Sequence, residues 1–173
     1  MKNIITGIFL FLSASFMQAQ TPNNYRNPDK IYLDSKDGHN GNFTWQMYKA
    51  GDAKDPAEKI SQPGYQTGQW MPAIVPGTVL NSLVHNEVYP EPYYGMNNKL
   101  DKNIIPDLAK VGRDFYTYWF RTEFDVPENY KDKIVWLQVD GINYRAEIWV
   151  NGYLLGNMSG MFKPEYINIT DFA

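Results

Sequence analysis

Residues Val135 to Gly156, VWLQVDGINYRAEIWVNGYLLG, hold two alternating segments and one Asn-Gly pair. Val135, Leu137 and Val139 point one way in the first segment, and Ala146, Ile148 and Val150 do so in the second, Arg145–Val150. That period of two is the signature of half-buried strands. Asn151-Gly152 supplies the two positive φ angles of a type I′ turn, so a tight hairpin follows the second segment. Upstream, Phe115–Val126 reads as a long strand with Tyr116, Tyr118, Phe120, Phe124 and Val126 on one face. Thr117, Arg121, Glu123 and Asp125 share the other, and Pro127 ends the run. Short strands, aromatic faces, Gly/Pro turns and almost no helix predict an all-β sandwich of jelly-roll type.

The 173 residues suffice for one domain, and 43% hydrophobic with 16% aromatic residues provide a sizeable core. Lys2, an apolar run from Ile4 to Phe16 and a small residue at Ala19 read as a secretory signal occupying residues 1–19. That run is too short for a spanning helix, and no later segment reaches the roughly 20 apolar residues a span needs. The expectation is an exported chain, secreted or periplasmic, with no membrane span. The absence of cysteine excludes disulfides, thiolate metal sites and a lipidated cysteine at the cleavage point. A net charge of −3, with basic and acidic residues interspersed, argues against nucleic acid as a partner. A neutral ligand fits better.

Residues 20–42 are polar and rich in Asn, Asp and Gly, an arm expected to lie on a later surface, and the domain proper runs from 43 to 173. Phe43–Tyr48 alternates as a strand. Asp52–Pro63 reads as a charged surface loop bounded by prolines. Trp70–Thr78 is extended because its prolines bias the preceding residues away from helix. Thr78 then caps a short helix with Val79, Leu80, Leu83 and Val84 on one face. Tyr89–Lys110 is a long irregular loop, the kind of segment in which binding sites tend to sit.

Four ordered stretches resemble one family. Trp70–Leu83, Pro92-Tyr93-Tyr94-Gly95-Met96-Asn97-Asn98, Gly112–Phe120 and Asp140–Gly152 are similar to the N-terminal sugar-binding, galactose-binding-like jelly roll of glycoside hydrolase family 2. Within it, Tyr94–Asn98 and Gly112–Tyr116 look most like the exo-β-glucosaminidases and β-mannosidases, including the mannosylglycoprotein endo-β-mannosidases. The resemblance implies a multidomain retaining enzyme in which this domain precedes immunoglobulin-like sandwiches and a TIM barrel. Retaining hydrolysis needs a carboxylic acid and a carboxylate roughly 5 Å apart. In the family both are barrel glutamates, so no catalytic residue is expected in this chain, and no cofactor. The resemblance also implies that Ile167–Ala173 precedes the last one or two jelly-roll strands. Their absence would leave a strand edge exposed and the isolated chain marginally stable or insoluble.

The family's loop before the long aromatic strand reaches toward the barrel mouth, and by position it is Pro92–Asp101 here. Sugars are held by flat apolar surfaces against their C–H faces and by amides that both donate and accept. Tyr93, Tyr94, Asn97 and Asn98 offer both, and are the candidate contacts for a β-linked oligosaccharide. Alternatively the tyrosines pack the loop onto the sandwich and the asparagines satisfy its turns. His39 and His85 lack a second ligand at metal spacing, so no metal site is expected. Trp119, Trp136 and Trp149 lie opposite the aliphatic faces, either to stack on sugar or to pack on a downstream sandwich or barrel domain. Arg145 could bind a ligand, but is expected instead to pair with Glu147 or with a downstream domain. The alternative to an enzyme fragment is a stand-alone carbohydrate-binding module.

Overall fold

A computed structural model of the chain describes residues 30–172 except 37, 39 and 40, so the signal segment and His39 lie outside the described residues. The chain divides between Tyr32 and Leu33. In the first unit the described residues, 30–32, form no regular element. The second unit contains β1 (Gln46–Lys49), α1 (Ala57–Ile60), β2 (Met71–Pro72), α2 (Val79–His85), α3 (Leu108–Val111) and β3 (Tyr118–Arg121). It continues with β4 (Trp136–Val139), β5 (Arg145–Val150), β6 (Tyr153–Ser159) and β7 (Glu165–Asn168). All strand pairs are antiparallel: a three-stranded sheet in the order β2-β1-β3, and the two-stranded sheets β4-β7 and β5-β6. This is the all-β sandwich that the alternation predicts.

Met47, Ala73 and Leu83 are buried together, with Trp45, Val79, Tyr89, Tyr116, Tyr118 and Phe120 packed around them. The register explains the sorting. Gln46 pairs with Arg121 and Met47 with Phe120, so Met47, Tyr118 and Phe120 face the core while Gln46, Tyr48, Trp119 and Arg121 face outward. α2 supplies the lid of this core, with Val79 and Leu83 one turn apart. Its start is the predicted one, for the Thr78 hydroxyl accepts from the Asn81 amide at 3.0 Å. Two buried serines replace a strand partner for the extended segment: the Ile74 amide donates to Ser82 Oγ and the Val75 amide to Ser35 Oγ, both at 3.0 Å.

Two expectations need correction. The strand expected over Phe115–Val126 is laddered only from Tyr118 to Arg121. Before it, Arg113–Tyr116 winds into a 3-10 turn, where the Thr117 hydroxyl donates to Arg113 O at 3.2 Å and competes with extension. Beyond Arg121 the backbone ladder to β1 stops at Gln46, and the neighbouring segment is held through a side chain instead, the Thr122 hydroxyl donating to Thr44 O at 2.9 Å. The alternation persists without the ladder, and Phe124 meets Phe43 edge-on at 6.2 Å. The second correction concerns Asp52–Pro63, which is not merely a surface loop. Pro56 precedes the short α1, and Ile60 at its end is 1% exposed.

The β5-β6 hairpin turns at Asn151 (φ 49°) and Gly152 (φ 92°), the predicted geometry. Glycine is favoured at 152 by that φ, and a Cβ there would also have to push aside the tip of the Gln62 side chain. The Asn151 amide donates to Phe172 O at 2.7 Å, and the Phe172 ring lies 5.1 Å from that of Tyr153.

Candidate functional site

Two aromatic anchors hold the ends of the Tyr89–Lys110 segment. The Val88 amide donates to Leu83 O at 2.9 Å and Tyr89 packs on the core. At the other end the Tyr116 hydroxyl donates to Pro106 O at 2.7 Å. Burial pushes the phenols of Tyr89 and Tyr116 above their ordinary pKa, consistent with an apolar setting at both anchors. Between them the loop is bonded to itself. Asn97 N donates to Tyr94 O at 3.1 Å and Asn98 N to Pro92 O at 3.2 Å. Gly95 and Met96 take positive φ, and Lys102 Nζ donates to Gly95 O at 2.7 Å.

This scaffold turns the candidate residues outward. Tyr93 is 91% exposed and Tyr94 79% exposed, so the tyrosines do not pack onto the sandwich. Asn97 follows the alternative reading, since its side-chain amide donates to Glu91 O at 3.0 Å and closes the loop. Asn98 is exposed, and its side chain makes no hydrogen bond among the described residues. The loop therefore offers two ring faces and one amide.

A second surface emerges that the sequence reading passed over. On the outward face of the β2-β1-β3 sheet, Tyr48 stacks on Trp70 at 5.6 Å and Tyr65 meets Trp70 edge-on at 6.1 Å. Arg121 ties the intervening loop down: its Nε donates to Ile60 O at 3.0 Å and an Nη to Gln62 O at 2.8 Å and to Glu123. Glu123 also accepts from the Gly64 amide at 2.7 Å. The Arg121 bond, helped by that amide, holds the Glu123 carboxyl below its usual range. Between this loop and the strand ends lies an open recess of about 360 Å3. The sequence signal that could have pointed to it is the run Gly64-Tyr65-Gln66-Thr67-Gly68, an aromatic and two hydrogen-bonding side chains between two glycines.

A sequence model of the family described as "Glycosyl hydrolase 2 galactose-binding domain-like" matches residues 45–173. The chain belongs to this family. Among similar proteins, the mannosylglycoprotein endo-β-mannosidase of Lilium longiflorum is 38% identical over 109 residues, 63% of this chain and 11% of that protein. The exo-β-D-glucosaminidase of Streptomyces avermitilis is 28% identical over 69% of this chain and 12% of its own length. Among solved structures, the exo-chitosanase of Amycolatopsis orientalis superposes with a TM-score of 0.60 at 23% identity, over 76% of this chain and 14% of that one. That likeness shows the fold. The chain thus spans between 11 and 14% of the length of these relatives.

The galactose-binding-like domain distributes the remaining candidates unevenly. Trp136 is 55% exposed on β4, whereas Trp119 and Trp149 are half-buried. The expected Arg145–Glu147 pair does not form: Glu147 instead accepts from Trp149 Nε1 at 3.0 Å. Arg145 and Trp149 flank Glu147 two positions away on the same face of β5, and fixing the indole costs less rotamer freedom than fixing the longer Arg145 side chain. His85 sits in the last turn of α2. Among the described residues, no three His, Asp or Glu side chains are grouped for a metal ion, and no helix is long and apolar enough to cross a membrane.

Proposed function

We propose that this domain is the N-terminal part of an exported, retaining β-glycosidase acting on β-linked mannosides or glucosaminides, and that its Tyr93–Asn98 loop contributes to the substrate subsite. The observation that carries the loop's part is its geometry, in which a rigid turn turns two tyrosine rings and the Asn98 amide out of the domain. Mannosidase and glucosaminidase activities are named for relatives seven or more times longer than their match to this chain. The acid and nucleophile belong to a barrel outside these residues, and the domain supplies contact and support. The apolar side chains of Trp136, Phe162 and Tyr166, all more than half exposed, fit packing against such neighbouring domains. Residues 1–19 act as a cleaved export signal.

The test is to express the reading frame through its own stop codon and assay aryl β-mannoside, β-glucosaminide and β-galactoside. Hydrolysis of one of the first two, with the β-anomer as first product by NMR, is the expected result. Inverted product or activity confined to the galactoside overturns the reading. Polysaccharide binding with no hydrolysis of any of the three would favour a stand-alone binding module, which the recess beside Tyr65 could serve.

A further inference from the structure

The recess on the outward face of the β2-β1-β3 sheet has the chemistry of a ligand site and no part in the loop reading above. Its volume of about 360 Å3 falls at the lower end of the roughly 300–1,000 Å3 typical of small-ligand pockets, room for one sugar ring. Its walls are Gln46, Tyr65, Thr67, Arg121 and Glu123, among others. The walls are pre-ordered: Arg121 is only 11% exposed and bonds two carbonyls of the facing loop, and the Tyr65 ring is fixed by Trp70 and by its hydroxyl on Asp55 at 3.0 Å. Pre-ordering matters because a site that need not freeze side chains on binding keeps more of its contact energy.

What the walls leave unused decides the ligand. Arg121 spends its Nε–H and one Nη on Ile60, Gln62 and Glu123, and the Glu123 carboxylate offsets its charge, so the recess has no net positive charge with which to hold an anion. Glu123 uses one oxygen for Arg121 and Gly64, and its other oxygen has no partner among the described residues. The Gln46 amide and Thr67 hydroxyl are likewise without partners among the described residues. The free groups are therefore a carboxylate oxygen that only accepts, the second Nη of Arg121 that only donates, and an amide and a hydroxyl that do both, beside an aromatic ring. That combination suits a neutral molecule with several hydroxyls and an apolar C–H face. We infer that this recess is a carbohydrate-binding site for a neutral hexose unit of a glycan chain, separate from the Tyr93–Asn98 loop and independent of the hydrolase reading.

Affinity electrophoresis of the polypeptide expressed through its own stop codon, in gels containing soluble β-1,4-glucomannan, tests this without reference to hydrolysis. The expected result is retardation that weakens about tenfold in Gln46→Ala combined with Thr67→Ala. Thr67→Ser should retain most of it, and the melting temperature should not change. Tyr93→Ala with Asn98→Ala should leave the retardation in place. Absence of retardation, equal retardation in the Gln46/Thr67 variant, or loss only in the Tyr93/Asn98 variant overturns the inference. Because hydrolysis is assayed separately, a polypeptide that is retarded but inactive sinks the glycosidase reading alone. One that is active but not retarded sinks the recess alone.

Discussion

The Tyr93–Asn98 loop and the Tyr65–Thr67 recess solve the problem of presenting polar and aromatic groups in opposite ways. The loop is bonded to itself and points its rings outward, so among the described residues nothing forms the other wall. The recess loop is bonded to the sheet through Arg121 and Glu123, and the sheet is the other wall. A surface of the first kind becomes a site only when another domain closes over it. A surface of the second kind is complete within the chain. The loop therefore fits a shared subsite and the recess fits binding that needs no partner.

Removing the support of the loop should have the largest effect. Leu83→Ala opens a cavity beneath Tyr89 and should destabilise the domain by about 3 kcal/mol in chemical denaturation. Arg121→Met should cost about 2 kcal/mol, chiefly by stripping two loop carbonyls of their charged donor, and should accelerate hydrogen exchange at Gly64 without affecting Asn97 or Asn98. Faster exchange in both loops would mean that they are not independent. Thr78→Ala removes the α2 cap and should cost about 1 kcal/mol.

The Glu123 carboxyl gives the comparison a pH dependence. Its folded pKa is lowered, so its contribution to stability is fully present above the ordinary glutamate value, about 4.3, and is lost as the pH falls through the lowered value. An acid titration followed by hydrogen exchange should therefore loosen Gly64 before Asn98, and Glu123→Gln should abolish that difference. At the small end, Tyr93→Ala should leave stability within about 0.5 kcal/mol, because a side chain 91% exposed has little packing to lose.

The strands were legible where both the alternation and a partner strand exist. Arg145–Val150 and the Asn151-Gly152 turn match their expected bounds because a period of two and a turn residue specify them locally. Phe115–Val126 carries the same period but is only partly laddered, since hydrogen bonding depends on where β1 ends, which the segment itself does not encode. The exposed surfaces were legible in the same measure. Tyr93 and Tyr94 stand out as adjacent aromatics in a long loop, whereas the recess joins residues as distant as Gln46, Thr67 and Glu123, which only the β1-β3 register and the grip of Arg121 bring together. The Glu147–Trp149 bond escaped for a related reason, as charge pairing alone favoured Arg145.

The claim that the loop touches substrate is tested most directly by kcat/KM of the polypeptide expressed through its own stop codon, carrying Tyr93→Ala and Asn98→Ala. The account predicts a fall of at least about tenfold with an unchanged melting temperature. Kinetics identical to those of the unaltered polypeptide would contradict it.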